Sequence, residues 1–159
     1  DYVMANPPFN VDKVKSESAQ SAGRLPFGLP SVNKNKEIGN ANYLWISYFY
    51  AYLNEHGRAG FVMASSATDS QGKDKDIRQQ LVETGHVDVM ISVGNNFFYT
   101  KSLPCSLWFL DKGKKRRIAR QGAVYRRKKL YRGGSHIERV DRVAAEKSEC
   151  HCVAVSWRR

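Results

Sequence analysis

The sequence predicts an α/β fold built on a mixed, mainly parallel sheet, and three observations carry that reading. Short, largely apolar runs of strand length recur along the chain. Two stretches with helical spacing separate them, giving the order strand, loop, helix, strand, helix, strand, strand. The last two strands lack an intervening helix, so they pair antiparallel.

The elements follow in order. Asp1-Tyr-Val-Met-Ala5 is an apolar run stopped by Asn6-Pro7-Pro8, whose prolines lack the N–H donors a ladder needs. Residues Asn10 to Gly39 are rich in Ser, Asn, Lys, Gly and Pro without apolar periodicity. A compact domain does not spend that length on a plain connection, so the loop is functional or without fixed structure. Asn40 to Glu55 carries Tyr43, Leu44, Ile46, Phe49, Tyr50 and Leu53 at helical spacing, with His56-Gly57 as a stop. Gly60 to Ala64 is a second buried strand, and Asp74 to Thr84 a second helix with Ile77, Leu81 and Val82 on one face. Val87 to Val93 and Ser106 to Leu110 are the last strands, joined by Gly94-Asn95-Asn96 and an aromatic cluster.

Composition bounds the rest. At 159 residues and 42% hydrophobic, the chain has enough apolar surface for one core. No apolar run reaches 18 residues and the start lacks a signal-peptide layout, so the reading is a cytoplasmic protein without a membrane span. Cys105, Cys150 and Cys152 are too few for a disulfide framework, and Cys150-His151-Cys152 has no second pair at zinc spacing, so no metal is expected. The net charge of +11 is unevenly placed: residues 1–111 hold 10 Lys and Arg against 11 Asp and Glu, and residues 112–159 hold 16 against 4. The two parts are therefore judged separately, as a segment of alternating strand-like and helix-like blocks over 1–114 and a basic tail over 115–159.

Asn6-Pro7-Pro8-Phe9 directly after a buried strand is the most informative feature, expected by chance in on the order of one chain per thousand of this size. Its chemistry suits a planar amine. The Asn6 amide oxygen can accept one N–H of an exocyclic amino group, and the rigidly held Pro7 carbonyl can accept the other. Pro8 stiffens the loop. Phe9 offers a face on which an extruded base can stack, offsetting part of an unstacking cost of a few kcal/mol. Open α/β sheets place ligands at this end of a strand. The bland alternative is a strand ended by a Pro-Pro turn with Phe9 in the core.

The sequence resembles the adenine-N6 DNA methyltransferases, and within them the modification (M) subunits of type I restriction-modification systems. The resemblance runs through Asp1-Tyr-Val-Met-Ala-Asn-Pro-Pro-Phe9, Gly39-Asn-Ala-Asn-Tyr-Leu-Trp-Ile46, Gly57-Arg-Ala-Gly-Phe-Val-Met63, Ile77-Arg78 with Leu81, and Asn96-Phe-Phe-Tyr-Thr100 with Leu103-Pro-Cys-Ser-Leu-Trp-Phe-Leu110. It implies a Rossmann-like, S-adenosylmethionine-dependent methyltransferase domain, here its C-terminal half. It also implies adenine held by Asn6, Pro7, Pro8 and Phe9, with double-stranded DNA and the specificity and restriction subunits as partners. The glycine-containing loop and acidic residue that bind S-adenosylmethionine in the family precede the Asn-Pro-Pro-Phe motif, so no cofactor-binding residue is assigned here. The expectation is a segment that alone binds the cofactor poorly and does not methylate DNA at a useful rate; measurable methylation by the purified chain contradicts it.

Other residues carry bland and functional readings side by side. Asn40 caps the first helix or, with Asn42, faces the site. Tyr43, Trp45, Phe49 and Tyr50 have the spacing of a buried helix face. Phe97, Phe98 and Tyr99 pack at a strand edge or line a base pocket. His56 and His86 read as isolated surface residues. Lys13, Lys15, Lys34 and Lys36 reach phosphates or are simply solvated. Two rival functions remain: a glutamine-amide methyltransferase, which uses the same acceptor pair, and a non-catalytic basic nucleic-acid module resting on the tail.

The tail does not resemble the family from about Lys115 onward, and its few large apolar residues predict a segment without fixed structure. With suitable codons, Arg116 to Arg159 read one base later spells a family-like continuation, including a strand with the segment FIDARN and an amphipathic helix. A one-nucleotide shift near Lys114 or Lys115 accounts for both the charge and the lost resemblance. The expected outcome of sequencing the coding DNA is codons that permit this second frame; codons that forbid it end the explanation.

Overall fold

The computed structural model describes residues 1–97 and 102–114, and the backbone alone of 123–132, 135–143 and 155–156. In chain order the elements are β1 (Tyr2–Ala5), β2 (Val14–Lys15), α1 (Ser16–Ser21), β3 (Glu37–Ile38), α2 (Asn42–Ala51), β4 (Arg58–Ala64), a 3₁₀ turn (Ser65–Thr68), α3 (Lys73–Glu83), β5 (Val87–Val93), β6 (Cys105–Asp111), β7 (Ala123–Arg132), β8 (Ser135–Val143) and β9 (Val155–Ser156). The sheet order is β1-β4-β6-β5-β7-β8-β9.

Pairing follows the connections. β1 and β4, joined through α2, are parallel, with Tyr2 opposite Arg58 and Ala5 opposite Phe61. β6 slots between β4 and β5 and is antiparallel to both. The expected antiparallel pair is therefore present, but the expectation of a mainly parallel sheet is corrected: β6 enters between β4 and β5 and makes both of its pairings antiparallel, so that only β1–β4 and β5–β7 pair in parallel. β7 joins β5 in parallel, and β8 and β9 continue antiparallel. The sequence reading gives the basic tail no regular structure; three stretches of its backbone instead run as strands, in segments holding Val, Tyr and Ile, which favour extended backbone. The other residues of 115–159 lie outside the described residues.

Register sorts side chains onto two faces. One face carries Ala59, Phe61 and Met63 of β4 with Trp108 and Leu110 of β6, and against it lie Tyr43, Ile46 and Leu53 from α2 and its end, and Ile77 and Leu81 from α3. The buried Trp108 indole N–H donates to Ser106 Oγ at 2.8 Å, so it is not left unpaired. On the other face Met4, Gly60 and Phe109 lie side by side, and Met4 and Tyr2 remain 90% and 81% exposed. A Cβ on Gly60 would stand 3.3 Å from the Phe109 ring, so the glycine makes room for that ring across the strands.

The long loop is not a bare connection. β2 and β3 pair antiparallel, α1 follows β2, and Ala19, Ile38, Ala41 and Leu44 form a second core with Val14, Leu29 and Trp45 packed around it. Sequence periodicity could not reveal this unit because its apolar residues are spread over elements too short to repeat. α3 is entered through Gly72 at φ +63 and left through Gly85 at φ +75, with Asp74 and Asp76 in its first turn, where acidic side chains suit the helix dipole.

The reading of His86 is corrected. It is half-buried, its Nδ1 lies 2.7 Å from Tyr50 Oη, and its ring stacks on that of Tyr50. Lys112 Nζ donates to the Leu53 carbonyl at 2.8 Å and sits over the same tyrosine. Burial, and then the Lys112 charge, hold the His86 imidazole below its ordinary value of 6.5, so it is easier to protonate unfolded than folded. Its contribution to stability is present above about pH 6.5 and is lost as pH falls through the lower folded value. His86→Gln is expected to flatten the fall in urea midpoint between pH 6.5 and 5 relative to the parent chain, as read by denaturation at each pH.

Candidate functional site

Parallel β1, β4 and β5 end at the same edge of the sheet, and antiparallel β6 begins there. This edge gathers the Asn6–Asn10 loop, the N-terminus of α2, the Ser65–Thr68 turn and the Gly94–Phe97 segment. Ser65 ties the turn to β6, its backbone N–H and Oγ both reaching the Pro104 carbonyl at 3.4 and 3.3 Å.

Within the loop, Asn6 is exposed and its amide takes no hydrogen bond among the described residues, Pro7 is buried, Pro8 exposed and Phe9 half-buried. All peptide bonds are trans. Pro7 is the buried residue of the loop, while the neutral Asn6 amide is exposed and the Phe9 ring half-buried three residues on. That pairing can accept N–H donors and stack a flat ring without attracting a counter-ion.

Asn10 follows with φ +53, a left-handed conformation that Asn tolerates better than most residues. Its N–H donates to Asn42 Oδ1 at 3.0 Å, and its Oδ1 accepts from Asn42 Nδ2 at 2.9 Å and Asn40 Nδ2 at 3.0 Å. Ser66 Oγ approaches the same oxygen at 3.4 Å. Asn40 Oδ1 in turn accepts the Asn42 N–H at 2.9 Å, so it serves the first amide of α2 as a cap would. The N-cap position itself is held by Ala41 without a side-chain cap bond, so Asn40 acts one residue before the position the capping reading gives it. Beneath this network, the buried Tyr43 hydroxyl hydrogen-bonds the Ala67 carbonyl, and Arg78 Nη1 donates to that carbonyl and to the hydroxyl at 3.2 Å each. Burial pushes the Tyr43 phenol above its ordinary range despite the neighbouring guanidinium, so it stays a neutral hydroxyl.

The lysines are brought together by the small sheet. Lys15 pairs with Glu37 in register, Lys13 and Lys36 both have φ +58, and Lys34 lies in a turn closed by Asn33 Oδ1, which accepts from the N–H groups of Asn35 and Glu37. All four are exposed, and Lys36 Nζ lies 3.9 Å from Glu17. Phe98 and Tyr99 lie outside the described residues; Phe97 is half-buried at the same sheet edge. Sequence reasoning missed Asn10, Ser66 and Arg78 as parts of one arrangement. The available signal was Asn10 itself, a residue that favours left-handed turns, placed directly after the motif.

The N-6 DNA methylase family model matches residues 1–141, so the match runs past Lys115, where the sequence reading ends the resemblance, and into the basic tail. The chain belongs to the N-6 DNA methylase family. The MjaIX type I methylase subunit of Methanocaldococcus jannaschii is 38% identical over 120 residues, which is 72% of this chain and 20% of that one. The HindI type I methylase subunit of Haemophilus influenzae is 29% identical over 118 residues, 74% of this chain and 25% of that one. The chain thus spans a fifth to a quarter of these relatives. Among solved structures, the type I restriction-modification methyltransferase subunit of Streptococcus thermophilus superimposes with a TM-score of 0.65 at 22% identity, covering 86% of this chain and 28% of that one. The last likeness is one of fold.

Proposed function

We propose that this segment is part of the catalytic domain of an adenine-specific DNA N6-methyltransferase of a type I restriction-modification system. The observation that carries the reading is the exposed Asn6 amide, free of hydrogen bonds among the described residues, in one short loop with the half-buried Phe9 directly after β1 at the C-terminal edge of the sheet. Asn6 Oδ1 and the Pro7 carbonyl accept the two N–H bonds of the adenine amino group and turn its lone pair out of conjugation with the ring. Phe9 stacks the extruded base, and Pro7, buried, keeps the loop from yielding. Double-stranded DNA is the substrate, approached by the Lys13, Lys15, Lys34 and Lys36 unit, in which Glu17 and Glu37 temper the charge. Phe98 and Tyr99 belong to the same pocket in this reading. Specificity and restriction subunits are the partners, in the cytoplasm.

S-adenosylmethionine supplies an electrophilic methyl carbon. The residues described fit the receiving side of that chemistry, since Asn6 and the Pro7 carbonyl are neutral acceptors and Phe9 is aromatic, and they would hold the amino group that accepts the methyl. A glutamine-amide substrate would use the same acceptors; the DNA methylase family match favours adenine.

In the methyltransferase carrying this segment, Asn6→Ala is expected to lower the single-turnover rate by about 100-fold, the size of losing one charge-stabilising hydrogen bond in a site. Phe9→Ala is expected to weaken adenine capture. Transfer of tritiated methyl to duplex adenine reads both, and unchanged rates with an unchanged melting profile overturn the assignment.

A further inference from the structure

We propose that Asn10 is a positioning residue: with Asn40, Asn42 and Ser66 it forms a polar clamp that fixes the stance of the Asn6–Phe9 loop for an incoming adenine. The proposal rests on the adenine reading above and adds to it a residue outside the four-residue motif.

Asn10 is the junction of three segments that the chain supplies separately. Its backbone N–H and its Oδ1 make a reciprocal pair with Asn42, which is 2% exposed on the first turn of α2. The same oxygen takes Asn40 Nδ2 from the residues leading into that helix and Ser66 Oγ from the turn after β4. A buried amide left without these partners would be penalised, so the arrangement specifies one loop position rather than several. The turn that carries Ser66 is itself held to α2 and α3 through Tyr43 and Arg78. Phe9 precedes Asn10 directly, so the angle at which the chain leaves Phe9 is set by the left-handed φ +53 of Asn10 and by these bonds. Asn6, exposed and without a hydrogen bond of its own among the described residues, inherits its direction from the two ends of the loop: β1 on one side and Asn10 on the other.

Two variants separate the clamp from the backbone turn. Asn10→Gly keeps the left-handed conformation and the N–H to Asn42 but removes the acceptor; Asn10→Asp keeps the acceptor. In the methyltransferase carrying this segment, taken as the parent chain, Asn10→Gly is expected to raise amide hydrogen exchange across residues 6–11 at least tenfold while α3 and β5 keep their protection. The probe for the site is a duplex bearing 2-aminopurine opposite an abasic position. With the parent chain, stacking on Phe9 is read as quenching that Phe9→Ala reduces; the probe carries no 6-amino group, so Asn6→Ala is not expected to change it. Asn10→Gly should lose most of that quenching while duplex affinity, read by anisotropy, stays within about threefold, and Asn10→Asp should recover it. Unchanged exchange in Asn10→Gly overturns the clamp, and raised exchange with undiminished quenching overturns its positioning role. Absence of quenching with the parent chain, despite duplex binding, would instead bring down the adenine reading and the positioning role with it, whatever the exchange result.

Discussion

Helix α2 is apolar around its whole circumference, and the rest of the structure is arranged to bury it. Tyr43 and Ile46 face the sheet, while Leu44, with Trp45 and Tyr48, faces the other way. A helix of that kind cannot lie on a surface, since each large side chain left in water forgoes roughly 1.5–3 kcal/mol. The segment between β1 and α2 supplies the missing cover, folding a short sheet, a helix and its own small core over the outer side of α2. Trp45 Nε1 is buried there without a partner among the described residues, a cost on the order of 1–3 kcal/mol that the burial around it outweighs.

This demand explains why the site loop is held where it is. The covering segment starts at Asn10 and returns at Ala41, whose N–H donates to the Val11 carbonyl at 2.8 Å. Its two ends therefore meet at the N-terminus of α2, beside the C-terminal edge of the sheet. Asn10, Asn40 and Asn42 stand at that meeting point, so the packing of an apolar helix and the placement of a polar loop are one event.

The two edges of the sheet are electrostatically unlike. At the C-terminal edge the described hydrogen-bonding groups around the loop are neutral amides and hydroxyls. At the opposite edge Arg58 meets Asp111 at 2.9 Å, Lys114 meets Asp88 at 2.8 Å, and Lys112 caps the end of α2 at the Leu53 carbonyl. Neutral acceptors suit an uncharged amino group; a carboxylate in the place of Asn6 would draw a cation or a proton instead. Burial, and then Lys112 beside it, hold the His86 imidazole below its ordinary value although the residue looks isolated in the sequence.

Local patterns were enough for much of this chain. Helical spacing over Tyr43 to Leu53 and over Ile77 to Leu81, largely apolar runs at β4, β5 and β6, and the missing helix between β5 and β6 determine an α/β fold with one antiparallel pair, because they depend on periods and connections. The Asn-Pro-Pro-Phe motif was legible for the same reason, its residues being adjacent. Tertiary structure decided what separated residues do together. Only it seats β6 between β4 and β5, builds an ordered unit from residues too sparse to show a period, pairs His86 with Tyr50 across 36 positions, and closes Asn10 onto Asn42 across 32. Those outcomes depend on burying α2 from both sides, a requirement that the helix states in its composition but that only distant parts of the chain can meet.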